Sequence, residues 1–199
     1  GTIRTKTQWV LLVGFLVVLF TLPLYLQSNY WLSVVNQIGI TLIAVTGLNI
    51  LMGYCGQLSI GHAGFIAVGA YTSAIMTNRF GLPFPVALVS AGFVAGAIGL
   101  VFGMPSARVK GFYLAITTIA AQFILIWIIN HWGLTGGFVG INVPKASIGD
   151  FVFRTEADMF YLIMTIVVLC TFVARNLSRS KAGRAFIAVR DNDLAAEVM

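Results

Sequence analysis

Gln57, Ser59 and His62 stand within six residues of one another, interleaved with Gly53, Gly56, Gly61 and Gly64, in Gly53-Tyr-Cys-Gly-Gln-Leu-Ser-Ile-Gly-His-Ala-Gly-Phe65. An amide, a hydroxyl and an imidazole supply hydrogen-bond donors and acceptors. Glycines beside them permit positive φ and the close approach of another backbone. One reading is a polar cavity, lined by Gln57, Ser59 and His62, that takes the charged ends of a small solute. Amide donors would come from the start of the following helix, because helix N-termini carry unpaired N–H groups suited to carboxylates, and broken transport helices use this device. The other reading is structural, with His62 hydrogen-bonded to backbone or to Gln57. Gln122 carries a similar pair of readings, a polar group on the path or an interhelical hydrogen bond.

Enzymatic chemistry finds little support. The chain has two histidines and no HExxH, Gly-x-Ser-x-Gly elbow or phosphate loop. Asp191, Asp193 and Glu197 read as helix-capping acids on a polar turn. Cys55 and Cys170 stand far apart in apolar surroundings, which fits buried free thiols and no metal.

The elements that must hold these residues are set by composition. Hydrophobic residues make up 59% and charged residues 9%, against about 25% charged in a soluble domain, and the mean hydropathy is +0.95. The expected fold is all-α, a multi-pass transmembrane bundle. About 20 helical residues cross the hydrocarbon core, and six runs qualify: Trp9–Leu26, Leu32–Met52, Leu58–Thr77, Phe84–Met104, Phe112–Asn130 and a slightly short Met159–Ala174. The glycine stretch therefore falls at the junction of the second and third spans, where irregular backbone survives only if covered by protein, lining a cavity or outside the lipid. A cytoplasmic turn and a re-entrant segment both satisfy that condition. The first run is read as a retained anchor, since no A-x-A-like cleavage pattern follows it.

With six crossings, Arg4, Lys6, Arg108, Lys110, Arg175, Arg179, Lys181, Arg184 and Arg190 collect on one side, and Arg79, Lys145 and Arg154 on the other. Nine against three places both termini in the cytoplasm. The net charge of +6 thus belongs to membrane orientation and not to nucleic-acid binding. No acidic or basic residue falls inside a proposed span, unlike the pattern of proton relays.

Gly92, Gly96, Gly99 and Gly103 recur on one face of the fourth span, and the expectation is tight helix packing through two G-x-x-x-G units. Thr135-Gly-Gly-Phe-Val-Gly-Ile141, in the long connection from His131 to Asp158, reads as a flexible loop or one that folds over a pore mouth. After residue 175 the chain is too polar to span. A short helix through Arg184–Arg190, a turn at Asp191-Asn192 and a second helix capped by Asp193 are expected. Surface helix, solvated connector and protein-docking element are all open there, with Ala185, Phe186 and Val189 as a small apolar face. The helix-like pattern continues to Met199 without a terminating Gly or Pro, and we expect the chain to be the N-terminal portion of a longer protein.

Gly47-Leu-Asn-Ile-Leu-Met-Gly-Tyr-Cys-Gly-Gln-Leu-Ser-Ile-Gly-His-Ala-Gly-Phe65 with Val68-Gly-Ala-Tyr71 resembles the signature of permeases of branched-chain amino acid ABC transporters, closest to the M-type (LivM-like) permease. Gly111-Phe-Tyr-Leu-Ala-Ile-Thr-Thr118, Leu134-Thr-Gly-Gly137 with Gly140-Ile141 and Pro144, and Ser180-Lys-Ala-Gly-Arg-Ala185 with Ala188-Val-Arg190 and Ala195-Ala-Glu197 agree in order. The resemblance covers most of residues 40–199. It implies a multi-pass permease of the bacterial inner membrane, working with a second permease subunit, two cytoplasmic ATP-binding subunits and a periplasmic solute-binding protein. ATP and Mg would sit on the partner ATPases, and this chain would bind no cofactor of its own. Residues 1–199 would form one permease domain, with 175–199 as the ATPase-docking loop, Gly183, Arg184, Ala185, Phe186, Val189 and Arg190 being its coupling residues. Gly53, Gly56, Gln57, Ser59, Gly61, His62 and Gly64 would belong to the substrate path. Related permeases import urea, other amides or sugars, and a passive small-solute channel is the reading outside the importers.

Overall fold

The computed structural model describes residue 14 and residues 18–25, 28–106, 111–148 and 151–191. Most of the first expected span, with Arg4, Lys6, Arg108, Lys110 and residues 192–199, lies outside the described residues. Helix α1 is described over 18–25. It is followed by α2 (Asn29–Asn49), which widens into a π-turn at Ile50–Tyr54, then α3 (His62–Arg79), α4 (Phe84–Ser106) and α5 (Phe112–His131). Two 3-10 turns, Gly133–Thr135 and Gly137–Val139, precede a short antiparallel hairpin pairing Ser147 with Val152 and Ile148 with Phe151. Then come α6 (Glu156–Arg179) and α7 (Lys181–Asp191).

Among the described residues, four segments are long and apolar enough to cross a membrane: Asn29–Tyr54, Phe84–Met104, Phe112–His131 and Glu156–Arg179. The chain is a multi-pass helical membrane protein. Two expected boundaries move. The last span is not short but runs 24 residues, Glu156–Arg179, continuing to Arg179 at its end and starting earlier at the Thr155 and Asp158 cap. Asp158 N donates to Thr155 Oγ1 at 3.2 Å and Thr155 N to Asp158 Oδ2 at 3.1 Å, a reciprocal cap. The expected third span is an 18-residue helix that is not among these four segments, and it starts late, since Gly56 adopts φ +67° and residues 56–61 are not helical.

The chain divides into two compact units. In the first, Gly1–Ile43 with Phe153–Phe172, α2 meets α6 at Gly39, where a Cβ would lie 2.7 Å from Ile163 Cγ2 and 3.1 Å from Met164 Cε. Leu32, Phe160 and Met164 are its buried core. Asn36, also buried, donates from Nδ2 to the main-chain oxygen and to Oε2 of Glu156, both at 3.0 Å. An acidic residue thus stands in the first turn of a span-length helix, where no charge was expected, with its carboxylate taken up by an amide.

The second unit, Ala44–Val152 with Val173–Met199, holds the glycine stretch. Its core is Val68 of α3 with Leu125 and Ile129 of α5, flanked by Val94, Ala95, Ile98 and Phe102 of α4. Among the described residues, nothing packs closely on the expected glycine seam of α4. A Cβ on Gly92, Gly96 or Gly103 would meet nothing within 4 Å, and one on Gly99 would only touch the Phe65 ring. α4 instead turns the neighbouring face, with buried Ala87 and Ala91, inward.

Contacts at the two ends of this unit match the expected parity of the loops. At one end Asn78 Nδ2 donates to Asn142 O at 3.1 Å, and Thr135 Oγ1, fully buried, donates to Ile129 O and Trp132 O, closing α5. The Thr135–Ile141 loop is therefore a folded cap on a helix end. At the other end α7 packs on the π-turn, and Arg190 Nη1 donates to Gly53 O at 2.8 Å.

Candidate functional site

The π-turn changes how α2 ends. Cys55 N bonds Ile50 O and Gln57 N bonds Leu51 O, each at 3.2 Å, a wider winding than the α-helix, of a kind frequent at functional sites. Gly56 then takes the left-handed conformation and frees the chain to run extended to Gly61. Gly61 is where that segment meets α5. A Cβ there would fall on the Thr118 carbonyl, 2.8 Å from its carbon, so only glycine allows this approach. One hydroxyl fastens the contact: Thr118 Oγ1 accepts from Ile60 N at 3.1 Å and donates to Ala115 O at 2.8 Å. One turn on, Gly64 lies against Gln122, with a notional Cβ 3.0 Å from Gln122 Cα.

Thr118 is six residues into α5, which at 1.5 Å per residue sets the docking point about 9 Å from the start of that helix. The stretch is an extended approach laid along α5, followed by a short helix.

Beside it lies a cavity of about 300 Å³, lined by Gln57, Ser59, His62 and Thr118 together with an apolar wall that includes Leu51, Phe65, Phe102 and Leu114. Gly99 and Gly103 of α4 also border it, so two of the four seam glycines face space instead of a helix. Among the described residues no hydrogen bond engages the side chains of Gln57, Ser59 or His62. The expected structural bond from His62 to Gln57 or backbone is therefore absent, and these groups are left to the cavity. α3 begins at His62 without a side-chain cap, and in its first turn Gly64 N donates to Gly61 O at 3.2 Å. Gln122 does not line the cavity. Its Oε1 is buried without a hydrogen-bond partner among the described residues, so the interhelical bond expected for it is not formed through that atom. Cys55, at the exit of the π-turn, is a free thiol whose pKa is pushed up by burial.

The residues expected on a substrate path thus separate by position. Gln57, Ser59 and His62 line the cavity, Gly61 and Gly64 seat the segment on α5, and Gly53 and Gly56 meet Arg190. Thr118, Phe65, Phe102 and Leu114 were missed as site residues. Thr118 and Leu114 stand in the Gly111–Thr118 motif, and Phe65 closes the opening one, but nothing in their types marked them as lining.

On α7 the predicted coupling residues also separate. Gly183 is buried at the corner after α6, where a Cβ would strike the Leu177 and Ser178 carbonyls. Arg184 and Ala185 are exposed, and Phe186 is half-buried. Arg190 reaches back to Gly53. The Val189 side chain lies outside the described part.

Residues 30–199 match the family model for the branched-chain amino acid transport system permease component. The chain belongs to this permease family. It is 33% identical over 216 aligned positions to the high-affinity branched-chain amino acid transport system permease protein LivM of Escherichia coli, and 32% identical to the Salmonella typhimurium protein of the same name, covering 96% of this chain in each case. A probable branched-chain amino acid transport permease protein LivM of Methanocaldococcus jannaschii is 24% identical over 78% of the chain. The chain spans about half the length of these relatives, 51% to 55%. No solved structure matches it. The family is one of transport permeases, and the cavity lies within the matched residues.

Proposed function

We propose that the chain is the transmembrane permease of an ABC importer that moves branched-chain amino acids across the inner membrane, with ATP hydrolysed by partner subunits. The observation that carries this reading is the cavity at the head of α3 in a chain of this family. Its volume of about 300 Å³ stands at the lower end for small-molecule sites. Unbonded Gln57, Ser59 and His62 side chains and the uncapped α3 amides suit a carboxylate and an ammonium. The wall of Leu51, Phe65, Phe102 and Leu114 suits an aliphatic side chain. A second permease subunit completes the passage, a periplasmic solute-binding protein delivers the solute, and α7 docks on one of two cytoplasmic ATPases, presenting Arg184, Ala185 and Phe186.

The test is ATP-dependent uptake of labelled leucine, isoleucine, valine and urea into proteoliposomes holding the full transporter and its solute-binding protein. Uptake of the three amino acids in preference to urea is expected, abolished by Gln57→Trp, which fills the cavity from an exposed position. Urea uptake alone would make it an amide importer. Flux without ATP through this permease alone would replace the importer by a channel.

A further inference from the structure

The contact between Arg190 and the end of α2 joins two parts of the chain 137 residues apart. It has two points of attachment. Arg190 Nη1 donates to Gly53 O at 2.8 Å, inside the π-turn. Its aliphatic stem occupies the space left by the missing side chain of Gly56, where a Cβ would lie 2.8 Å from Arg190 Cγ. Gly56 is the residue before Gln57, and its φ of +67° is the bend that starts the cavity-lining segment. At its other end the same segment is fastened to α5 by the Ile60–Thr118 bond and by Gly61 against the Thr118 carbonyl. Gln57, Leu58 and Ser59 are therefore slung between α7 and α5.

We propose that Arg190 is a positioning residue through which α7 holds and moves the cavity-lining segment 57–59. A displacement of α7 pulls on Gly53 and Gly56 and leaves the α5 attachment in place, so the segment pivots and the polar edge of the cavity shifts. The link needs a long cation with a flexible stem, because the stem fills the Gly56 gap and the head reaches a carbonyl that the widened turn leaves accessible. Arg190, Arg184 and Ala185 are all exposed on α7, and Arg190 turns its head to the Gly53 carbonyl. The proposal rests on the importer reading, since it is there that α7 receives the motion of an ATPase.

The experiment compares Arg190→Ala and Arg190→Lys with the unmodified permease in the full transporter, in proteoliposomes. The readouts are solute moved per ATP hydrolysed and the rate at which Ser59→Cys, in a background without Cys55 and Cys170, reacts with a water-soluble maleimide with and without ATP. Loss of a charge-assisted bond is expected to lower solute moved per ATP by about tenfold or more. It should also remove the ATP-dependent change in Ser59→Cys labelling. Arg190→Lys, which keeps a cationic donor, should restore much of both. If Arg190→Ala does not reach the membrane, Arg190→Met decides in its place, because it keeps an aliphatic stem in the Gly56 gap and removes the donor to Gly53 O; reduced solute per ATP is again expected. An unchanged ratio and unchanged labelling response in a transporter that imports normally would overturn the role of Arg190 alone. No ATP-dependent uptake by the unmodified transporter would overturn the importer reading, and this link with it.

Discussion

Gly61→Ala adds one methyl group where the structure has no room for it. The new Cβ would fall on the Thr118 carbonyl, 2.8 Å from its carbon and 3.2 Å from Thr118 Cβ. That obstacle is helical backbone, which cannot rotate away as a flexible side chain would. The glycine's own dihedrals, φ −83° and ψ 13°, are open to any residue, so the cost is one of packing. Overpacking of this kind costs about 1–3 kcal/mol. Moving the segment off α5 also strains or breaks the Ile60 N–H bond to Thr118 Oγ1, worth about 1 kcal/mol. The expected loss is therefore about 2–4 kcal/mol. Gly64→Ala is the internal comparison: its Cβ would stand 3.0 Å from Gln122 Cα, a misfit of a few tenths of an ångström, and a cost below about 1 kcal/mol is expected. The assay is the denaturation midpoint of the full-length permease in detergent. Equal midpoints for Gly61→Ala and the unmodified protein would refute the argument. So would rescue by Thr118→Ala, because that change removes side-chain atoms and leaves the obstructing carbonyl in place.

Two further outcomes test the frame around the cavity. Thr155→Val removes the hydroxyl that caps α6 and is expected to destabilise the protein by about 1 kcal/mol in the same denaturation assay, with Thr155→Ser close to neutral. Asn36→Ala removes two hydrogen bonds to Glu156 but also an Oδ1 atom that is buried without a partner among the described residues. The net loss should therefore stay near about 1–2 kcal/mol, and a loss well above that range would mean that Oδ1 is satisfied after all.

Much of the architecture was legible because lipid is an unforgiving solvent. Apolar runs near 20 residues, basic residues crowded on alternate loops and the placement of Phe84–Met104 and Phe112–Asn130 followed from hydropathy and charge alone. Boundaries moved where local chemistry intervened. Thr155 and Asp158 are unremarkable residues until their reciprocal bonds start α6 early, and Gly56 is one glycine among several until its φ ends the preceding helix. The seam of α4 shows the opposite case. Periodicity placed Gly92, Gly96, Gly99 and Gly103 on one face, but periodicity does not name a partner, and the neighbouring face carries the contact within this chain.

At Gly53–Phe65 the sequence by itself determined the chemistry on offer, three polar side chains among glycines at a junction of spans, and its motifs pointed to the permease family. It also left the stretch as either turn or re-entrant loop, and His62 as either bonded or free. Tertiary structure decided what surrounds both. The stretch lies along α5 because Thr118 presents a carbonyl and a hydroxyl at the height of Gly61, and Gln57, Ser59 and His62 line a cavity, with no hydrogen bond to their side chains among the described residues. The tie from Arg190 to Gly53 could be read from neither site's residues. An arginine 137 residues away carries no local mark of the carbonyl it will find, and only the packing of α7 on the π-turn brings the two within reach.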